Sequence, residues 1–205
     1  MTRVEMEQLI RHLSHEVKNP LTTLKGYAQL ASLKKNDPEF IDKALGILQS
    51  QVERIEKIFN DLYEVFFYSQ NAPFECNVES FFKKNSEAAP SAVSIDIKSD
   101  LSVKTDEKLF SRLLSLLTSE FDWKTHPNTR CTVSSSKESG NDSVVWDFEG
   151  VDFSDIRKKI FYMPFAEKNY FPSGITLYKA YCIADVLGFA FSIDPVKNRF
   201  ILEMK

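Results

Sequence analysis

Apolar residues recur every three or four positions from Val4 to Tyr68, which is the spacing typical of amphipathic helices. The polar segment 35–39 interrupts this pattern, and its Asp-Pro-Glu sequence suits the start of a helix. The pattern therefore predicts two long helices that form an antiparallel hairpin. The apolar stripes consist of Leu9, Leu13, Val17, Leu21, Leu24, Ala28 and Ala31 in the first helix, and of Ile41, Ala44, Leu45, Leu48, Val52, Ile55, Phe59, Leu62 and Val65 in the second.

An isolated two-helix hairpin buries too little apolar surface to be stable, and stripes of this length need more than one neighbouring helix. Dimerisation into a four-helix bundle is the simplest way to cover them, so we expect a homodimer. The alternative is that the stripes pack on the C-terminal half of the same chain.

The pattern changes after Pro73 to short apolar segments separated by turn residues. Asp106 can cap a helix over 107–121, and Gly188 can end another helix over 176–187. Helices packed on one face of a mixed sheet would make this half α/β or α+β. The predicted strands cover 94–97, 131–136, 144–148, 189–193 and 200–204.

The composition of the 205 residues narrows the possible functions. Lys and Arg number 26 against 29 Asp and Glu, without a basic run, so nucleic acid is not an expected partner. The 3 cysteines never form a Cys-x-x-Cys pair, which argues against a zinc site or a disulfide framework and favours a reducing compartment. The N-terminus lacks the apolar core of a signal peptide, and no run of about 18 apolar residues occurs. We expect a cytoplasmic protein without membrane insertion.

His15 is the candidate for chemistry in the first helix. It lies about 200° of helix rotation from both Leu13 and Val17, so it should face solvent rather than the apolar stripe. The carboxylate of Glu16 can accept a hydrogen bond from the imidazole Nδ1, which leaves Nε2 as a nucleophile. Asn19 follows one turn later and can orient a water molecule or a phosphoryl oxygen near Nε2.

Residues 13–21, Leu-Ser-His-Glu-Val-Lys-Asn-Pro-Leu, closely resemble the phosphoacceptor box of two-component histidine kinases, whose pattern is [FL]-x-H-E-[LIV]-[KR]-[NT]-P-L. The resemblance implies that His15 is the phosphorylated residue and that Glu16 is its acid/base partner. It also implies that Asn19 supports dephosphorylation of a bound response regulator. The matching positions are His15, Glu16, Lys18, Asn19, Pro20 and Leu21.

The same resemblance implies a domain organisation. Residues 1–70 would form the dimerisation and phosphotransfer hairpin. Residues 74–205 would form an α/β sandwich like the GHKL-type ATP-binding domain that follows the hairpin in those kinases. The expected fold class is therefore α+β, with a second domain whose nucleotide-binding boxes are degenerate.

The magnesium and phosphate box is the first of these degenerate boxes. In the family, two asparagines four residues apart and a following lysine hold the magnesium and the phosphates. Neither of the two possible alignments to this chain supplies an amide ligand or the lysine, and a carboxylate there would repel a triphosphate. With Asp106 as the anchor, the three positions hold Leu116, Glu120 and Trp123, and a shift of one residue gives Ser115, Ser119 and Asp122.

The glycine-rich boxes are degenerate as well. The adenine-reading box D-x-G-x-G reads Asp-Phe-Glu-Gly-Val at 147–151, so Asp147 survives and both glycines are lost. The last glycine-rich box retains one glycine of three at 172–177, and the stretch from Phe165 to Pro172 is short for an ATP lid. These losses predict that the chain is not an ATP-dependent kinase.

The sequence therefore favours a histidine phosphotransferase, similar to the ChpT and Spo0B type, that moves a phosphoryl group between receiver aspartates through His15 without ATP. Such chemistry needs no cofactor of its own, because the partner receiver domain supplies the magnesium. Candidate receiver contacts near His15 are Ser14, Lys18 and Thr22. The alternatives are a response-regulator phosphatase that uses Asn19, a pseudokinase module that sequesters a receiver, and a divergent sensor histidine kinase.

The two other histidines are not expected to replace His15. His12 lies about 60° away around the helix and lacks a following acid. His126 precedes Pro127 in a predicted loop, without an acid to orient it. Only His15 is expected to carry the complete set of chemical groups.

Overall fold

The computed structural model describes residues 3–66, 73–85, 91–97, 101–138, 141–154, 156, 170–171 and 175–204. The chain divides into two compact units, Met1–Phe67 and Tyr68–Lys205. Three predictions concern residues that lie wholly or largely outside the described ranges, and they stay predictions. They are the domain boundary between residues 70 and 74, the short lid between Phe165 and Pro172, and the glycine retained in the last glycine-rich box, Gly174.

The first unit is a helical hairpin, as predicted. Helix α1 covers Arg3–Leu33, and helix α2 covers Pro38–Phe66. In the turn between them, Asp37 Oδ1 accepts a hydrogen bond from the amide of Phe40 at 3.0 Å. An aspartate followed by proline thus begins α2, because the carboxylate satisfies an amide that has no partner within the helix.

The predicted apolar stripe of α2 divides into two faces. Ala44 and Ile58 are buried, so their side of α2 packs against α1 within the hairpin. A second row lies on the exposed side of α2, and we call it the outer apolar face. It consists of Leu45, Val52, Phe59 and Tyr63, of which the first three are seven residues apart.

The second unit contains a five-stranded sheet in the order β2-β4-β5-β7-β6, in which β2 and β4 run parallel and the other neighbours run antiparallel. A separate pair, β1 and β3, is antiparallel. All five predicted strands therefore exist, whereas β1 and β3 were not predicted. The strands are β1 (Phe74–Asn77), β2 (Val93–Asp96), β3 (Ser102–Thr105), β4 (Arg130–Glu138), β5 (Asn141–Glu149), β6 (Ala190–Asp194) and β7 (Arg199–Met204).

Three helices accompany the sheet, namely α3 (Val78–Asn85), α4 (Glu107–Thr118) and α5 (Thr176–Leu187). As predicted, Asp106 caps α4, because its Oδ1 accepts a hydrogen bond from the amide of Leu109 at 3.0 Å. Gly188 ends α5 in the left-handed conformation with φ of 77°, as its C-terminal position requires. Helix α4 stops three residues before the predicted end at 121.

The helices cover one face of the five-stranded sheet. Trp146 and Phe148 of β5 belong to the same buried cluster as residues of α3, α4 and α5, and the ring of Phe82 in α3 lies 6.1 Å from that of Trp146. Because side chains alternate along a strand, Val145 and Asp147 point to the other face. The second unit is therefore a layered α/β domain, which confirms the predicted fold class for this half.

Candidate functional site

His15 lies on α1 with its side chain exposed, as predicted from its distance to the apolar stripe. The side chains of Lys18 and Asn19 are exposed in the following turn. Ser14 and Thr22 are exposed too, and each donates its hydroxyl hydrogen to a backbone carbonyl four residues earlier, at 2.8 Å. The structure thus brings five of the six predicted site residues to one accessible surface of α1.

Glu16, the sixth predicted site residue, is placed differently. Its side chain is only 17% exposed, and its Oε2 lies 3.3 Å from Nη2 of Arg54 on α2. The carboxylate beside the candidate nucleophile is therefore tied across the hairpin to a cation that the sequence analysis did not identify. Glu16 and Arg54 each lie one turn from a buried residue, Pro20 and Ile58 respectively, so each flanks the inner side of its helix. The apolar stripe predicted for α1 did not include Pro20, so no pattern in the sequence indicated this pair.

Glu120 occupies the second asparagine position of the nucleotide box in one of the two alignments. Its Oε1 lies 2.9 Å from Nη1 of Arg112 on α4, and its Oε2 accepts a hydrogen bond from Oγ1 of Thr176 at 2.9 Å. Thr176 is the first residue of α5 and is fully buried. We call this arrangement the Glu120 bridge, and it connects two segments that correspond to nucleotide-binding boxes in the resemblance described above.

Aromatic rings are packed together beside the Glu120 bridge. Trp123, at the lysine position of the same alignment, stacks on Phe148 with centroids 6.4 Å apart and donates from Nε1 to the carbonyl of Thr118 at 3.1 Å. Phe121 lies within 5.7 Å of four other rings. The contacts of Phe121 are with Trp123, His126, Phe148 and Phe171.

The surviving aspartate of the adenine box has a structural partner. Oδ1 of Asp147 lies 2.8 Å from Nε of Arg199, its cross-strand neighbour on β7. This ion pair lies on the sheet face away from the helices, whereas Trp146 and Phe148 point toward them. Asp147 is therefore bound to the sheet itself, on the face opposite the Glu120 bridge.

Gly150 has a positive φ of 81°, and a Cβ atom at this position would lie 2.7 Å from the backbone oxygen of Asn128. The missing side chain thus permits a close approach of the chain to its own backbone. This glycine is one residue away from either glycine position of the family box, so the structure explains it without a nucleotide.

His126 does have an acidic neighbour, which corrects the sequence-based expectation. Hydrogen bonds from Thr125 lower the pKa of Asp122, and the nearby His126 contributes to the same shift. The imidazole of His126 is half-buried and stacks on Tyr170 at 5.7 Å. His126 therefore differs from the exposed His15 through its ring contacts rather than through the lack of an acid.

The cysteines offer no activated thiol. Burial raises the pKa of Cys76 to about 11 and that of Cys182 to about 11, and it raises the pKa of Cys131 as well. Thiols of this kind are protonated at neutral pH and are poor nucleophiles or metal ligands. In the described part of the chain, no three His, Cys, Asp or Glu side chains come together as a metal site would require.

Comparison with known proteins places the hairpin in a family. Residues 5–66 match the family model of the His Kinase A (phospho-acceptor) domain. The probable sensor histidine kinase TcrY of Mycobacterium tuberculosis is 30% identical to this chain over 70 residues, which make up 34% of this chain and 15% of TcrY. The hairpin of this chain is therefore similar to the phosphoacceptor domain of histidine kinases. It matches only a small part of the length of that curated relative.

Solved histidine kinases share the fold of this chain. The histidine kinase AdeS of Acinetobacter baumannii superposes with a TM-score of 0.55 at 18% identity, over 93% of this chain and 97% of AdeS. The histidine kinase ThkA, solved in complex with the response regulator protein TrrA, gives a TM-score of 0.62 at 20% identity, over 96% of this chain and 60% of that chain. At these identities the likeness establishes the fold alone: a hairpin followed by a domain like the kinase catalytic domain. Among the described helices, none has a stretch long and apolar enough to span a membrane.

Proposed function

We propose that this chain is a histidine phosphotransferase of a two-component phosphorelay. His15 accepts a phosphoryl group from the aspartyl phosphate of one receiver domain and donates it to the aspartate of another. The observation that carries the proposal is the Glu120 bridge. The carboxylate of Glu120 occupies a position where the resembled kinases have a nucleotide-binding asparagine, whereas the phosphoacceptor box around His15 is complete.

The transfer step balances without ATP. The lone pair of Nε2 on His15 attacks the phosphorus, the bond from phosphorus to the aspartyl oxygen breaks, and the aspartate leaves as a carboxylate. The proton on Nδ1 remains on the ring, where a hydrogen bond to Glu16 offsets the positive charge that develops on the imidazole. The receiver domain contributes the magnesium, so this chain has to present Nε2 and a docking surface.

Two features of the second unit argue against ATP as its ligand. A triphosphate placed near the start of α5 would have to compete with the carboxylate of Glu120, which is already bound to Arg112 and Thr176. The aromatic rings of Phe121, Trp123 and Phe148 fill the space beside the bridge. Both features argue against a divergent sensor kinase, the activity that the name of TcrY indicates for that relative.

A receiver domain is the proposed partner. The solved complex of ThkA with the response regulator TrrA sets a precedent for a partner of this class. In this chain the exposed residues Ser14, Lys18 and Thr22 surround His15 and are the proposed receiver contacts. Lys18 offers a cation to the acidic pocket of a receiver, and the two hydroxyl groups offer polar contacts.

A homodimer is the proposed assembly. The outer apolar face exposes 45% of Val52 and 57% of Phe59 in the single chain, and a seven-residue repeat of this kind is typical of a helix that packs in a bundle. A second copy of the hairpin would cover this face and complete a four-helix bundle.

A receiver phosphatase is the second candidate function. Asn19 is exposed one turn after His15, where its amide can hold a water molecule in line with a receiver phosphoryl group. Such an activity would remove phosphate from the receiver without phosphorylating His15.

Two labelling reactions test the proposed function. The chain is incubated with a receiver domain carrying radiolabelled aspartyl phosphate, and in parallel with γ-labelled ATP and magnesium. We expect acid-labile, base-stable label on the chain from the receiver and none from ATP. Label from ATP alone would establish a kinase instead, and release of inorganic phosphate without labelled chain would establish the phosphatase.

A further inference from the structure

We propose that Arg54 is a positioning residue for His15, acting through Glu16. The proposal rests on the phosphoryl transfer described above and adds to it a residue that the phosphoacceptor box does not contain. Arg54 lies 38 residues from Glu16 in the sequence and reaches it from the other helix of the hairpin.

Arg54, Glu16 and His15 lie in this order from the inner side of the hairpin toward solvent. Arg54 lies one turn from the buried Ile58, and Glu16 lies one turn from the buried Pro20, so the ion pair flanks the packed interior. His15 precedes Glu16 and points about 100° away around α1, toward solvent. Glu16 thus contacts the second helix and is the chain neighbour of the candidate nucleophile.

The exposure of the two partners indicates what the ion pair is for. The Arg54 side chain is 48% exposed and the Glu16 side chain 17% exposed. An ion pair that is half open to water contributes little to stability, because solvent screens it and both side chains lose freedom. Its larger effect is to hold a mostly covered carboxylate in one orientation, since a glutamate has three rotatable bonds and would otherwise sample several.

Orientation of Glu16 matters because it selects the tautomer of His15. A carboxylate offers about four lone-pair sites, so a bond to Arg54 leaves capacity to accept a hydrogen from Nδ1. The tautomer with its hydrogen on Nδ1 keeps the lone pair on Nε2, and only that form can attack phosphorus from Nε2. Arg54 thereby raises the fraction of His15 that is ready to react.

The test compares three variants of the full chain. Arg54→Gln removes the cation, and Arg54→Lys retains a charge that can reach Glu16 without the guanidinium geometry. Lys57→Gln is the matched control, because it removes the same charge from an exposed side chain one turn further along α2. Circular dichroism verifies that each variant keeps its helices.

Two readouts avoid any need for a receiver partner. The 15N chemical shifts of labelled His15 give the tautomer ratio. Phosphoramidate, a small phosphoryl donor, labels the imidazole directly: its phosphorus–nitrogen bond breaks, a bond to Nε2 forms, and ammonia leaves. The rate of this labelling measures the reactivity of Nε2 alone.

We expect Arg54→Gln to lower the population of the Nδ1–H tautomer and to slow phosphoramidate labelling of His15 on the order of tenfold. Arg54→Lys should fall between this variant and the unmodified chain, and Lys57→Gln should match the unmodified chain. An Arg54→Gln protein with an unchanged tautomer ratio and labelling rate would overturn the inference, as would equal effects in Arg54→Gln and Lys57→Gln.

The outcome separates this inference from the proposed function. If Arg54→Gln changes the tautomer as expected while the unmodified chain takes no phosphoryl group from any phosphorylated receiver, Arg54 still positions Glu16 and the phosphotransferase proposal fails. If phosphorylated receivers do label the unmodified chain while the tautomer ratio of His15 is the same with and without Arg54, the proposed function stands and the role of Arg54 is refuted.

Discussion

The Glu120 bridge predicts a measurable coupling energy between Arg112 and Glu120. The two side chains are 33% and 30% exposed and their charged atoms lie 2.9 Å apart. Two unit charges at about 4 Å attract by about 1 kcal/mol in bulk water and by about 4 kcal/mol near a protein surface, and desolvation takes back part of this gain. We therefore expect a coupling energy of about 1–2 kcal/mol, in the upper range for pairs that remain partly exposed.

Glu120→Ala also removes the hydrogen bond from Thr176, which contributes about 1 kcal/mol more. The total loss of about 2–3 kcal/mol should lower the urea midpoint of the second unit by about 1 M, given a typical denaturant slope for a domain of this size. The assay is tryptophan fluorescence, because both tryptophans of the chain, Trp123 and Trp146, belong to this unit.

A double-mutant cycle isolates the pair, with Arg112→Ala and Glu120→Ala made singly and together. The matched control is the pair Lys84 and Glu107, whose charged atoms are 3.9 Å apart on side chains that are 78% and 58% exposed. That pair should couple by less than about 0.5 kcal/mol. If Arg112 and Glu120 couple no more strongly than the control pair, their ion pair does not stabilise the second unit and the reasoning is refuted.

Three further predictions concern other parts of the chain. Val52→Asp places a charge on the outer apolar face and should convert a dimer into a monomer, as measured by light scattering at micromolar concentration. The control variant Ser50→Asp should remain a dimer, and a dimeric Val52→Asp protein would show that the interface lies elsewhere. Asn19→Ala should leave phosphoryl acceptance by His15 intact and slow the loss of phosphate to water, and a loss of acceptance would assign the amide to the transfer step instead. Burial raises the pKa of Cys76 from 9.0 to about 11, so the native state holds its proton longer than the unfolded chain and stability should fall as pH rises from 9 to 11. Urea midpoints at several pH values measure this loss, and Cys76→Ala should reduce it, with the part due to the buried Cys131 and Cys182 remaining; a pH dependence identical in both proteins would refute the assignment.

The elements that rest on local sequence were predicted best. The two helices of the hairpin follow from the apolar period, and α4 begins where Asp106 can cap it. The end of α4 was placed too late, because Phe121 was assigned to the helix. Its ring instead enters the aromatic packing after the helix has stopped at Thr118. Helix α3 was missed because an eight-residue segment is too short to establish a period.

The ion pair at Glu16 and the hydrogen bond that links Glu120 to α5 both depend on packing between distant segments. Glu16 and Arg54 meet across a hairpin, and Glu120 meets Thr176 across 56 residues. No local pattern brings such residues together. The orientation of Asp147 could have been predicted from the sequence. Side chains alternate along a strand, so a residue between the core side chains Trp146 and Phe148 points to the opposite face of the sheet.

Mapping the phosphorylated residue shows whether His15 is the phosphoryl acceptor. The chain is incubated with a receiver domain carrying aspartyl phosphate, digested at alkaline pH to preserve phosphohistidine, and analysed by tandem mass spectrometry beside a His15→Ala variant. We expect phosphohistidine at His15 and none in His15→Ala, whose helical content and dimerisation should be unchanged because the side chain is exposed. Phosphohistidine at His12 or His126, or undiminished labelling of His15→Ala, would contradict the account.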